Sequence, residues 1–171
     1  MFIIDNAWQI PLSDGGIFRL NFTEQGMEKF RILSGKYIQN KISLQKDMKY
    51  IESLIVPGAT DPVEPEEMYR HISDAIKILS NSYYSDIDKK IADIKSSERA
   101  GEFVNINYRE MHDIKIIDNK DTFVELHIDD VKFILVESLN KGINRRDFIN
   151  RLVTEFRNII SEEPQIRFSC D

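Results

Sequence analysis

The sequence predicts an α+β fold in which an antiparallel β-meander, together with an N-terminal hairpin, packs against several α-helices. Short apolar runs separated by polar turns fill residues 103–137, and a strongly amphipathic helical pattern follows them. The chain of 171 residues has the size of one compact domain and can bury a core without disulfides. We therefore expect residues 1–171 to form a single globular α+β domain.

The N-terminal hairpin is predicted from two apolar runs, residues 7–12 and 17–22, that flank an Asp-Gly pair within residues 13–16. Asp-Gly supplies the positive-φ positions of a tight hairpin turn. By alternation, Phe18, Leu20 and Phe22 point to the core, and Ile17, Arg19 and Asn21 point outward. Pro11 has no N–H to give to a ladder, so we expect the first strand at a sheet edge.

Helical patterns are predicted between the hairpin and the meander. Thr23 is a candidate N-cap, followed by Met27, Phe30 and Leu33 at helical spacing, and Gly35 either bends this helix or separates it from a second one. Further helices are predicted over residues 37–55, over residues 65–79 and at residues 87–94.

The meander is predicted as four strands, at residues 103–108, 113–117, 122–128 and 131–137. Val124, Leu126 and Ile128 share one face by the two-residue period, while residues 133–136 are apolar on both faces, as in a covered central strand.

The closing helix is predicted to begin after Asn144 as N-cap, with Phe148 as the first member of a long apolar stripe. Pro164 ends it, and residues 165–170 can return as a short edge strand. Arg145 and Arg146 lie in its first turn, where cations oppose the helix dipole. We expect Asp147 and the acidic sheet edge to compensate them, with a bound carboxylate or phosphate as the alternative.

Charge excludes some classes of function. The formal net charge is −6, which disfavours direct nucleic acid binding and attraction to an anionic membrane. Residues 101–137 carry a local balance of −5, whereas residues 141–157 are basic. Cys170, the single cysteine, fits a reducing compartment, and neither a signal peptide nor a membrane-spanning run is present. We expect a cytoplasmic protein, and the high content of Ile, Lys and Asn is typical of bacterial chains.

Candidate catalytic and metal-binding residues are few. Asp118 or Asp121, followed by Asp130-Val131-Lys132, loosely resembles the PD-(D/E)xK pattern of metal-dependent nucleases, which implies a divalent ion held by two carboxylates. The sequence departs from that pattern because no Pro precedes the first Asp and because Asp129-Asp130 falls in a predicted turn.

The remaining catalytic groups show no recognisable spacing. The three histidines, His71, His112 and His127, are not spaced as metal ligands, and the chain has neither a nucleophile elbow nor a glycine-rich phosphate loop. The prediction is a protein that is not an enzyme, with no metal and no cofactor.

Function is predicted from this overall profile. A small, acidic, motif-free chain with exposed sheet edges resembles immunity proteins and antitoxins, which neutralise basic nuclease toxins by direct binding. An adaptor or chaperone is the alternative, and the chain is expected to be a monomer or a homodimer. The candidate partner-binding residues are acidic: Glu125, Asp129, Asp130, Asp61, Glu64, Glu66 and Glu67.

Overall fold

The computed structural model describes residues 1–11, 15–38, 87–97, 102–119, 123–139 and 144–171. These residues form a mixed eight-stranded sheet with helices, so the predicted α+β class is confirmed. The strands are β1 (Phe2–Ile10), β2 (Gly16–Phe22), β3 (Gly26–Ser34), β4 (Phe103–Asn107), β5 (Asp113–Asp118), β6 (Val124–Ile128), β7 (Val131–Leu135) and β8 (Arg167–Cys170). Two α-helices lie wholly within the described residues, α1 (Ile87–Ser97) and α2 (Arg145–Glu162), and residues 35–38 are also helical. 3-10 turns span Tyr108–Glu110 and Val136–Leu139.

The strand order is β4-β3-β2-β1-β7-β6-β5-β8, and every pair is antiparallel except β5 with β8. The predicted meander is therefore divided. β5, β6 and β7 form a meander, but β4 pairs with β3 at the opposite edge of the sheet. The predicted short C-terminal edge strand is present as β8.

The first strand lies inside the sheet, so its predicted edge position is wrong. β1 pairs with β2 on one side and with β7 on the other. Pro11 does not interrupt either ladder because β1 ends at Ile10, one residue before it. The missing N–H therefore falls where no ladder hydrogen bond is needed.

The helix predicted after Thr23 is also wrong, because residues 26–34 form β3. The Thr23 hydroxyl accepts hydrogen bonds from the N–H groups of Gln25 and Gly26, both at 3.2 Å, and so closes a tight turn instead of capping a helix. β3 then pairs with β2 and with β4, and this tertiary pairing overrides the helical spacing of its apolar residues. The backbone becomes helical only at Gly35, so that glycine neither bends nor separates two helices.

Each face of the sheet buries its own core. One core lies between the sheet and α2, and it contains Phe18, Leu20 and Phe22, as predicted. The second core lies on the other face, where α1 contributes the buried Ile94. Ile17 belongs to this second core and is only 1% exposed, so its predicted outward position is wrong. A helix covers the face that alternation alone assigned to solvent.

The closing helix α2 has the predicted cap and buried stripe. The Asn144 side chain accepts a hydrogen bond from the N–H of Arg146 at 3.1 Å. Phe156 is fully buried, and its ring lies 5.1 Å from the rings of Phe2 and Phe22. The helix is therefore anchored on β1 and β2 by aromatic packing.

Several predictions lie outside the described residues. They include the predicted helix over residues 65–79, the part of the predicted helix over residues 37–55 that follows residue 38, and the side chains of His71, Asp121, Asp61, Glu64, Glu66 and Glu67. In the part of the chain that the structure describes, no helix has the length and apolar character needed to cross a membrane.

Candidate functional site

Most acidic side chains of the β5–β8 half of the sheet are paired with cations. Asp113 bonds Arg167 at 2.7 Å, and Asp171 bonds Lys115 at 2.7 Å. Asp118, at the end of β5, bonds Arg145 at 2.7 Å. The negative balance of residues 101–137 is therefore offset locally by cations from β8 and α2.

Arg145 in the first turn of α2 is paired with a carboxylate, so the predicted compensation is confirmed for Arg145 but not for Asp147 as its source. Its Nε donates to Asp118 at 2.7 Å, and its guanidinium also donates to the carbonyl of Asn119. The carboxylate comes from the sheet edge and not from Asp147. The unfavourable interaction with the helix dipole is offset by this charge-assisted pair.

Glu125 is positioned by its neighbours on the face opposite Leu126. It is 7% exposed, and both of its carboxylate oxygens are occupied. His127 Nε2 lies 2.8 Å from one oxygen, and Lys132 Nζ lies 3.2 Å from the other. Glu125 therefore links His127 of β6 to Lys132 of β7. Because its carboxylate is buried in these contacts, it contributes little negative charge to the surface.

The turn between β6 and β7 carries the two remaining candidate residues, Asp129 and Asp130. Asp129 has a φ of 51°, in the left-handed region that Asp tolerates better than most residues. Its Oδ1 accepts hydrogen bonds from the backbone N–H groups of His112 and Asp113, both at 2.9 Å. Its own N–H donates to the Asp113 carbonyl at 2.9 Å. These three hydrogen bonds fix the turn against the start of β5.

Asp130 presents its carboxylate from this fixed turn. Its side chain is exposed, and it makes no hydrogen bond or ion pair with the residues described here. Asp129 is also exposed and keeps its second carboxylate oxygen free of any such bond. We call these two residues the acidic turn. It combines a rigid backbone with negative charge that faces solvent.

A shallow groove of about 180 Å³ runs beside the acidic turn. Polar and apolar side chains both line it, namely Asp113, Ile114, Lys115, His127, Asp129, Arg167, Phe168 and Ser169. Asp129 therefore belongs both to the turn and to the groove.

Asp118 and Asp130 of the nuclease-like pattern do not meet, and its alternative first carboxylate, Asp121, lies outside the described residues. Asp118 pairs with Val124, whereas Asp130 follows Ile128, which pairs with Ile114 at the other end of β5. At roughly 3.3 Å per residue this places the two carboxylates about 15 Å apart. Within the described ranges, no group of three or more His, Cys, Asp or Glu side chains is arranged to hold a metal ion.

Sequence reasoning missed two cations, Lys29 and Arg31. Both lie on the α2 side of the sheet, because they alternate with Phe30, which belongs to the opposite core. The helical interpretation of residues 23–33 concealed them. The strand alternation of Lys29 and Arg31 around Phe30 was the signal that could have shown their common face.

Comparisons of the chain with protein-family models, with curated proteins and with solved structures found no match. Function is therefore inferred from the residues and their contacts.

Proposed function

We propose that this chain is a protein-binding domain that docks a basic partner through the acidic turn, Asp129 and Asp130. The observation that carries the proposal is the fixed turn that presents an unpaired carboxylate at Asp130. Binding to a rigid turn loses little backbone entropy, because the turn is already ordered in the free protein. A Lys or Arg of the partner gains charge-assisted hydrogen bonds there.

The charge distribution supports a basic partner. Asp113, Asp118, Glu125 and Asp171 already pair with cations, whereas the acidic turn offers negative charge that no described cation compensates. Complementary charge raises the association rate and disfavours partners of the same sign. Acidic partners and nucleic acid are disfavoured by the same potential.

The form of this function that we favour is neutralisation of a toxin domain, as in immunity proteins and antitoxins. A nuclease toxin is basic where it contacts phosphates. The carboxylates of the acidic turn would occupy those contacts and block the substrate. Binding and inhibition would then depend on the same residues.

Site-specific photo-crosslinking tests the proposal. A benzophenone amino acid is placed at position 130 and, as a control, at position 24. Glu24 is also an exposed acid in a hairpin turn, between β2 and β3 at the other end of the sheet. We expect one basic protein to be crosslinked in native cells from position 130 and not from position 24. Equal capture from both positions, or an acidic protein as the only product, would refute the acidic turn as the docking site.

If the captured partner is an enzyme, a second measurement tests neutralisation. The partner's activity is measured with the wild-type chain and with the Asp129→Asn/Asp130→Asn variant. We expect the wild-type chain to inhibit and the variant to inhibit at least about ten-fold more weakly. Stoichiometric binding without inhibition would support the adaptor alternative instead.

A further inference from the structure

Two cations lie side by side on the α2 side of β3. Lys29 pairs with Leu20 and Arg31 with Phe18 across the β2–β3 ladder, so their side chains emerge on the same face. The Lys29 ammonium lies 4.8 Å from the centre of the Phe18 ring and 5.9 Å from that of the Phe133 ring. It is the only charged group placed over these two rings in the described part of the chain.

Neither cation has a carboxylate partner among the described residues. Lys29 Nζ donates to the neutral amide oxygen of Gln9 at 2.9 Å. Arg31 uses its backbone N–H to bond the Glu102 carbonyl at 2.8 Å, and its guanidinium makes no hydrogen bond or ion pair with a residue that the structure describes. This pair differs from Arg19, Lys115 and Arg145, each of which bonds an Asp.

Two adjacent cations without a counter-ion are electrostatically unfavourable. Burial, followed by the positive charge of Arg31, lowers the pKa of Lys29 below its ordinary value. An anion held between the two side chains would raise the pKa of Lys29 again, because its negative charge would pair with both cations. Without an anion, the rings of Phe18 and Phe133 stabilise the Lys29 ammonium by cation–π interaction. They carry no net negative charge and cannot neutralise Arg31.

We propose that Lys29 and Arg31 form a binding site for a small oxyanion, a carboxylate or a phosphate. The planar guanidinium of Arg31 supplies a donor fork that matches two oxygens of such a group. Lys29 supplies a compact charge beside it, held in place by Gln9 and by the rings of Phe18 and Phe133. This site lies apart from the acidic turn and does not depend on the proposed function.

Access to the site is from the β4 edge of the sheet. Val104 of β4 lies opposite Lys29 in the β3–β4 ladder and is 38% exposed. An anion attached to an apolar group would therefore contact Val104 while its oxygens bond the two cations. We expect acetate and inorganic phosphate to bind as the simplest members of the class.

Titration with inorganic phosphate and with acetate, followed by backbone amide NMR, tests the proposal. We expect saturable shifts centred on β3 and β4, with a dissociation constant on the order of 1 mM. The Arg31→Gln and Lys29→Met variants should each weaken binding at least about ten-fold. Lys29→Met keeps an unbranched stem over the rings, so the fold should be retained. Arg109→Gln removes an exposed cation of the 3-10 turn and is the matched control, which should bind as the wild type does.

The outcomes are distinct. Binding of phosphate but not acetate assigns a phosphate site, and binding of acetate at least as tight assigns a carboxylate site. The proposal is overturned if neither anion shifts these residues in a saturable way. It is equally overturned if the Arg31→Gln and Lys29→Met variants, both folded by their amide spectra, bind with unchanged affinity.

Discussion

The carboxylate of Asp118 accepts a hydrogen bond from Arg145 Nε at 2.7 Å, and this contact joins the end of β5 to the first turn of α2. Both side chains are about one quarter exposed. Arg146, the next residue, is exposed, and its side chain makes no hydrogen bond or ion pair with described residues. The two adjacent arginines of the same helical turn are therefore in different environments.

A double-mutant cycle of Asp118→Asn and Arg145→Met should show a coupling free energy of about 0.5–1 kcal/mol, because the pair is partly exposed and solvent screens it. Urea unfolding of the four proteins measures this coupling. Arg146→Met is the control and should change the free energy of unfolding by less than about 0.5 kcal/mol. A coupling near zero would mean that the contact does not hold the helix start.

Phe156→Ala should lower the free energy of unfolding by about 3–5 kcal/mol, since it removes a fully buried aromatic ring from contact with Phe2, Phe22 and Phe168. Asn158→Ala, at an exposed position of the same helix, should have little effect. Denaturant titration compares the two. A loss below about 1 kcal/mol for Phe156→Ala would contradict the packing of α2 on the sheet.

Glu137→Gln should stabilise the protein at neutral pH. Burial, and secondarily the negative charge of Asp5, raises the pKa of Glu137, and the charge of Arg151 only partly opposes this. A raised folded-state pKa means that the ionised carboxylate penalises the fold above that pKa, while protonation at lower pH relieves the penalty.

The advantage of Glu137→Gln should therefore be present at pH 7 and disappear as the pH falls to about 4, near the ordinary pKa of a Glu side chain. We expect a gain of less than about 1 kcal/mol, because the group is only half-buried. Thermal unfolding of the variant and the wild type across this range measures it. A variant that is less stable at pH 7 would show that the carboxylate makes a favourable contact.

Local patterns predicted the C-terminal half well and the N-terminal half poorly. The two-residue alternation of Val124, Leu126 and Ile128 and the N-cap at Asn144 are local features, and all of them are present. By contrast, β3 became a strand because β2 and β4 lie on its two sides, and β4 is distant in sequence. The local pattern of residues 26–34 fits a strand as well as a helix, and the pairing that decides between them is non-local.

The candidate site was predicted only in part, because some of its contacts are local in sequence and others depend on strand pairing. The local sequence identified Asp129 and Asp130, because two acidic residues between two apolar runs indicate a turn between strands. It did not show that Glu125 is buried against His127 and Lys132, since those contacts depend on the register of β6 and β7. The Lys29 and Arg31 pair was hidden by the wrong assignment of β3.

We propose that the acidic turn steers a basic partner toward the chain by its negative charge. The most direct test is the association rate of the crosslinked partner with the wild-type chain and with Asp129→Asn/Asp130→Lys. Asn at position 129 keeps the oxygen that accepts from His112 and Asp113, and it tolerates the positive φ, so the turn stays folded. Glu24→Lys reverses charge in the β2–β3 turn and is the control.

Stopped-flow mixing at low ionic strength should show association about ten-fold slower for the acidic-turn variant and nearly unchanged for Glu24→Lys. Near 1 M salt, where the Debye length is about 3 Å, the difference should largely vanish. An association rate that is insensitive to both salt and the acidic-turn substitutions would show that the acidic turn does not steer the partner.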